Sequence, residues 1–182
     1  MAADSATSFD DAIAVDRLGD GHYRAAVPSS WTASGRAAGG LVEAQLVAGV
    51  TDLMQESDKN PLSFTAHLLR SPEAGPVDIE VEMLRDGRTL STLAVRMVQH
   101  DKLSATALAS FATERPSPDL DEMPMPDVDP PTGDRATDSH IPEFAYPFGH
   151  NIVIQDRLGP RAFSAPEGPM ERAGWAGFAD PR

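Results

Sequence analysis

The sequence contains no cysteine, which excludes a disulfide framework and thiolate chemistry. It has no cluster of basic residues either. The 15 Lys and Arg stand singly against 28 Asp and Glu, for a formal charge of −13. A nucleic-acid binder needs grouped cations to neutralise phosphates, so this balance argues against one. No apolar run approaches the roughly 18 residues that a membrane-spanning helix needs. The start, MAADSATSFDD, lacks the basic end and apolar stretch of a secretory leader. A cytoplasmic protein is the simplest reading. The five histidines (22, 67, 100, 140, 150) show no metal-ligand spacing, and Ser29, Ser30 and Ser34 lie in no Gly-x-Ser-x-Gly setting. Neither a metal site, a resident cofactor nor a Ser-His-Asp triad finds support. The acidity also works against a phosphate-bearing ligand unless local arginines outweigh it.

What is present fits a globular chain. Hydrophobic residues make up 41% and charged residues 24% of 182 positions, room for one domain or one and part of another. Composition shifts sharply once. Residues 116–131, PSPDLDEMPMPDVDPP, hold six Pro and five acidic residues in sixteen positions. Proline removes backbone donors and fixes φ, so this stretch reads as an acidic, semi-rigid linker.

Before that linker the pattern is regular. Residues 10–18 and 21–27 read as two short strands joined by a Gly-Asp-Gly turn. A polar loop, SSWTASGRAAGG, follows. Residues 41–54, LVEAQLVAGVTDLM, are apolar almost all round and predict a helix buried on most sides. Four strand-like runs come next, at 62–70, 77–84, 90–98 and 103–112. The second alternates strictly, with Val77, Ile79, Val81 and Met83 on one face and Asp78, Glu80 and Glu82 on the other. Asp86-Gly87 marks a hairpin turn, Leu93, Val95 and Met97 face inward on the returning strand, and residues 99–102 make a second turn. One helix cannot shield a four-stranded meander unless the antiparallel sheet curls around it. The expected class is α+β, a hotdog fold.

The residues themselves also resemble a known family. Leu69-Arg70 before a Pro turn, the Val81-Glu82-x-Leu84-Arg85-Asp86-Gly87-Arg88 hairpin and the closing Thr106-Ala107-x-Ala109-Ser110-Phe111 are similar to the first repeat of type II (TesB-like) acyl-CoA thioesterases. Gly39-Gly40 opening the helix, with Gln45 after it, matches as well. Members of that family carry two hotdog repeats that pack as a pseudo-dimer. The resemblance therefore implies a first repeat at 1–114, the linker at 115–143, and the start of an incomplete second repeat at 144–182. In that last part Phe144, a strand at 150–155 and Gly174-Trp175-Ala176-Gly177-Phe178 resemble the opening strands. The family's catalytic Asp, its Thr or Ser, and its Gln belong to the second repeat, and no position here inherits them. A truncation at Asp180-Pro181-Arg182 is the expectation, since 39 residues without a helix fall below the roughly 40 that fold alone.

Several residues are candidates for a site. Gly39 and Gly40, at the helix start, leave backbone N–H groups that could face a thioester carbonyl oxygen, or they simply let the chain turn tightly. Glu43, in the first turn, is the local candidate for a catalytic base, or it serves the helix dipole at the rim. Gln45 either lines a substrate channel or hydrogen-bonds buried backbone. Arg70, and Arg36 in the loop, could meet phosphates of coenzyme A. His67 is read as a strand residue rather than a base. Trp31 either covers an acyl chain or plugs the core.

The function this implies is hydrolysis of fatty acyl-CoA to free fatty acid and CoA by base-activated water. Acyl-CoA is the expected partner, together with self-association or pairing with the remainder of the chain. The alternative is a non-catalytic hotdog protein that binds an acyl thioester or dimerises.

Overall fold

The computed structural model describes residues 7–118, 122, 124–133, 147–159 and 172–179. Phe144, His140 and the Asp180-Pro181-Arg182 end lie outside those residues.

The first element departs from the sequence pattern. A strand is expected over 10–18, yet Phe9–Ile13 forms a short helix, α1, and only Asp16–Gly19 is extended, as β1. The cause is local. The Ser8 hydroxyl oxygen accepts from the Asp11 N–H at 3.1 Å and its O–H donates to the Asp11 carboxylate at 2.7 Å. Asp10 and Asp11 then sit in the first turn, where negative charge favours the helix. Strand β2 (His22–Val27) follows a turn at Gly21, whose φ of +71° and close approach to the Val81 carbonyl only glycine allows.

After a single 3-10 turn (Ser29–Trp31) and the small hairpin β3 (Thr32–Ala33) and β4 (Arg36–Ala37), helix α2 runs from Gly39 to Met54. It lies against β5 (Asn60–Leu68), β6 (Gly75–Asp86), β7 (Leu90–Gln99) and β8 (Lys102–Ala112). Leu41, Leu46 and Val50 meet Val77, Ile79, Leu93, Val95 and Met97 in one core. Each such side chain contributes about 1.5–3 kcal/mol when fully buried. Inward positions on β8 are Ala105, Ala107 and Ala109, small residues that make room for the rod. The helix is less enclosed than its composition predicts: Gly40, Glu43, Val47 and Thr51 form an exposed stripe.

The sheet order is β1-β2-β6-β7-β8-β5, all antiparallel. A simple meander of four strands is therefore incorrect. β6, β7 and β8 do form a meander, but β5 crosses to the far side and pairs with β8. Helix α2 lies over the sheet with Gly49 close to the Tyr23 ring on one side and Gly39 close to Leu68 on the other, so the chain returns along the far side of the helix as β5. Residues 69–74 then cross back over the ends of β8 and β7.

Two smaller expectations also shift. Met83 keeps the register of Val77, Ile79 and Val81, pairing with Leu93, but it is partly exposed at 38%, and the register slips directly after it. The hairpin after Asp86 holds no residue of positive φ; Gly87 is needed because a Cβ there would meet the Leu90 carbonyl oxygen at 2.8 Å. Two hairpin turns have positive φ at both central residues, Ser34-Gly35 at 50° and 76° and His100-Asp101 at 50° and 58°.

Beyond the linker, β9 (Ile152–Leu158) and β10 (Ala173–Phe178) pair as a separate antiparallel hairpin. Phe178 stacks on Phe9 at 4.3 Å, and Trp31 lies against both rings. The Asn151 amide donates to the Ser30 carbonyl at 2.8 Å. Linker residues are held as well: Gln155 exchanges two hydrogen bonds with the backbone of Thr132, and the Trp175 indole donates to Asp129 O. Among the described residues, no helix is long and apolar enough to cross a membrane.

Candidate functional site

The N-terminus of α2 is built by backbone from three directions. Its cap is Ala38, held extended at φ −61° and ψ 137°, with no side chain capping the helix. The Ala38 N–H donates to Trp31 O, and its carbonyl accepts from Leu41 and Val42. The N–H groups of Gly39 and Gly40 have no partner among the described residues, and both glycines are exposed. A Cβ on Gly39 would press on Leu68 Cδ1 at 3.1 Å, whereas one on Gly40 would project into open space. Space allows a side chain at Gly40, so packing does not explain that glycine. Close approach of another molecule to its N–H would.

Two arginines flank this end and differ in charge balance. Arg36 is bound to Glu73 at 3.0 Å and donates to Ser71 O at 3.3 Å. Arg70 is exposed, with no acidic partner within ion-pair distance among the described residues. Its backbone N–H and that of Leu69 both donate to Ser104 O at 2.9 Å, which turns the chain out of β5.

Glu43 lies on the exposed stripe of α2, one turn beyond Gly40. Gln45 points the other way and is fully buried at 0% exposure. Its amide N–H groups donate to Ala12 O and Ala26 O, both at 2.8 Å, tying α1 and β2 to the helix. Its Oε1 is buried without a partner. His67 stands on the outer face of β5 opposite Thr106, away from the helix. Trp31 is buried, and its indole N–H donates to Thr7 O at 2.9 Å, so it acts as a plug.

A groove runs from this helix end along the exposed stripe of α2, with β5 as its other wall. β5 runs antiparallel to the helix, from the Met54 end to Leu68 beside Gly39. Near its far end lies a cleft of about 210 Å³ lined by Val47, Val50, Leu62, Phe64 and Phe111. The outer edge of β5 has no strand beside it among the described residues.

Perturbed titratable groups lie at the opposite end of the helix. Burial pushes the Tyr23 hydroxyl up to about 12, helped by the Asp52 carboxylate that it faces. The Tyr23 hydroxyl and Asp52 Oδ2 are both buried without a well-formed hydrogen bond, and Arg17 stands 3.8 Å from Oδ2. Asp86 is held below the usual carboxylate range by hydrogen bonds from Ser91 and Lys59. Among the described residues, no three metal-binding side chains converge.

Residues 27–112, from the end of β2 to the end of β8, match the acyl-CoA thioesterase N-terminal domain. That stretch belongs to the acyl-CoA thioesterase family. Acyl-coenzyme A thioesterase 8 of Mus musculus is 30% identical over 139 residues, covering 76% of this chain and 42% of that protein. Its Homo sapiens counterpart is 31% identical over 102 residues, covering 56% and 32%. The chain thus spans less than half the length of the thioesterases it matches. Its hotdog fold is shared with solved structures. A hotdog protein of unknown function from Alicyclobacillus acidocaldarius superposes with a TM-score of 0.79 at 24% identity, covering 96% of this chain and 63% of that one. The acyl-CoA thioesterase II TesB2 of Mycobacterium marinum gives 0.68 at 21% identity, covering 96% and 60%.

Sequence reasoning singled out the glycine pair and Arg70 as candidates but not the residues that hold the chain around them. Gln99, Ser71 and the Ser104 carbonyl fix the 69–74 crossover beside the helix end. An isolated glutamine at a strand end carries no local signal for such a role.

Proposed function

We propose that the protein is an acyl-CoA thioesterase that converts fatty acyl-CoA to free fatty acid and CoA, with this hotdog unit holding the substrate. The observation that carries the reading is an uncapped helix end whose Gly39 and Gly40 N–H groups, and the nearby Arg70 guanidinium, have no partner among the described residues. Water adds to the thioester carbon while a base takes its proton. The carbonyl oxygen gains negative charge, which the Gly39 and Gly40 N–H groups and the helix dipole stabilise. Collapse of that intermediate breaks the C–S bond, and the departing thiolate takes up the proton. Arg70 meets a phosphate of coenzyme A, and the acyl chain follows the groove toward Val47 and Phe111. Gln45 serves as the strut that holds α2 against β2. The base and the remaining catalytic groups come from a second hotdog repeat, which pairs along the free edge of β5.

A variant with Gly40→Ala tests this directly, because its Cβ enters open space and leaves the fold intact. The substitution keeps the N–H but sets a methyl beside it, which should hinder approach of the carbonyl oxygen and lower kcat/KM for a medium-chain acyl-CoA by about tenfold without lowering Tm. Unchanged thiol release would sink the reading.

The exposed leucines of β5 favour a second reading, a non-catalytic hotdog protein that binds an acyl thioester or dimerises through that edge. Thiol release at the same background rate from wild type and Glu43→Gln would support it. A drop confined to Glu43→Gln would instead make Glu43 the local base.

A further inference from the structure

We propose that Gln99 is a positioning residue for the phosphate end of the substrate, acting through the 69–74 crossover. The inference rests on the reading that Arg70 meets a phosphate of coenzyme A.

Gln99 is the last residue of β7 and only 8% exposed. Its Oε1 accepts the Glu73 N–H at 2.9 Å, and its Nε2 donates to Glu73 O at 2.9 Å and to Pro76 O at 3.3 Å. One side-chain amide thus satisfies both backbone groups of Glu73, as a neighbouring strand would. No strand is free to do this, because β7 is already flanked by β6 and β8. The crossover passes over the ends of two strands, and its strand-type pairing among the described residues is a single antiparallel bridge from Glu73 to Arg36 of β4. The left-handed pair His100-Asp101 turns the chain directly after Gln99 and fixes where β7 stops.

On its other side the crossover is joined to the start of α2. The Ala37 N–H donates to Pro72 O at 2.8 Å, the Ser71 hydroxyl donates to Ala37 O at 2.8 Å, and Arg36 pairs with Glu73. Gln99, the crossover and the residues before Gly39 therefore form one hydrogen-bonded run. Arg70 sits in it three positions from Glu73, with an exposed side chain that no ion pair holds among the described residues. The helix itself is anchored separately by Leu41 and Leu46 in the core. Loosening Glu73 should displace Arg70 more than it displaces the Gly39 and Gly40 N–H groups. A merely structural glutamine would weaken everything alike.

Gln99→Met keeps the length and volume of the side chain and removes all three bonds; Gln99→Glu keeps the acceptor for the Glu73 N–H and should fall between. Amide exchange without ligand comes first. Glu73 should exchange about tenfold faster in Gln99→Met, as expected for loss of a bond worth about 1.4 kcal/mol, while Val95 is unchanged. Affinity is then compared for octanoyl-CoA and octanoyl-pantetheine, which share the thioester but not the phosphates. Gln99→Met should cost about tenfold on the first and less than about twofold on the second, matching the pattern of Arg70→Ala. Unchanged Glu73 exchange, or equal losses on both ligands, overturns the inference alone. A wild-type protein that binds both ligands equally, or neither, overturns the role of Arg70 and this inference with it.

Discussion

The two edges of the main sheet are built differently. β1 is four residues long, exposed at every position, and interrupted by a register shift between Arg17 and Gly19. It ends beside Arg17 and Asp20, which pair weakly at 3.9 Å. Short length, charge and an irregularity are the devices by which a sheet edge avoids adding another strand. β5 has nine residues and carries Leu62 at 65% exposure, with Leu68 and Leu69 also open to solvent and Val47 of the helix beside it. β1 is the more finished edge; β5 is irregular only at its start, where Pro61 precedes a register shift to Ser63, and the rest of its length stays open among the described residues. The same sheet thus has a short, irregular edge on one side and a longer, more regular one on the other. It also places the uncapped helix end and Arg70 on the open side.

The finished edge depends on Gln45, and there the largest effect is expected. Gln45→Met removes the donors to Ala12 O and Ala26 O, and each stranded carbonyl costs about 1–3 kcal/mol. A denaturation midpoint within error of wild type would show that α1 is not tied to the helix in this way. Tyr23 probes the same side by pH. Its folded pKa is raised, so its contribution is complete below the unfolded value near 10 and is lost as pH rises to about 12. A shift of this size corresponds to about 2–3 kcal/mol, and Tyr23→Phe should flatten stability across that window. The smallest effect on stability belongs to the edges themselves. Leu62→Lys on β5 and Leu18→Lys on β1 should each change unfolding free energy by no more than about 0.5 kcal/mol, as at other exposed positions. Only Leu62→Lys should abolish association or pairing, read by analytical ultracentrifugation; equal behaviour of the two would erase the distinction between the edges.

Much of the fold was legible because it is periodic. Val77, Ile79 and Val81 alternate with acidic residues, Leu93, Val95 and Met97 recur at every second position one strand later, and the apolar run around Leu46 can only be a covered helix. Features set by single hydrogen bonds or distant partners were harder to read. The Ser8 cap converts Phe9–Ile13 from strand to helix through one hydroxyl, although Ser-x-x-Asp is a recognisable start signal. The placement of β5 beside β8 follows from the chain's return along the far side of α2, which no local window records. At the site, Gly39, Gly40 and Arg70 stood out by residue type. Gln45 was legible as a conspicuous polar residue in an apolar helix, but its two carbonyl partners come from residues 12 and 26, far from it in sequence.

Gly49, near the middle of the rod, sits so close to the sheet that a methyl there would stand 3.3 Å from Ile79 Cγ2 and 3.6 Å from a Tyr23 ring carbon. It therefore works as the thin point of a lever. Any thickening at this fulcrum would tilt a rigid cylinder and move both of its tips, so hydrogen bond donors ten residues away are aimed in part by an atom that is not there.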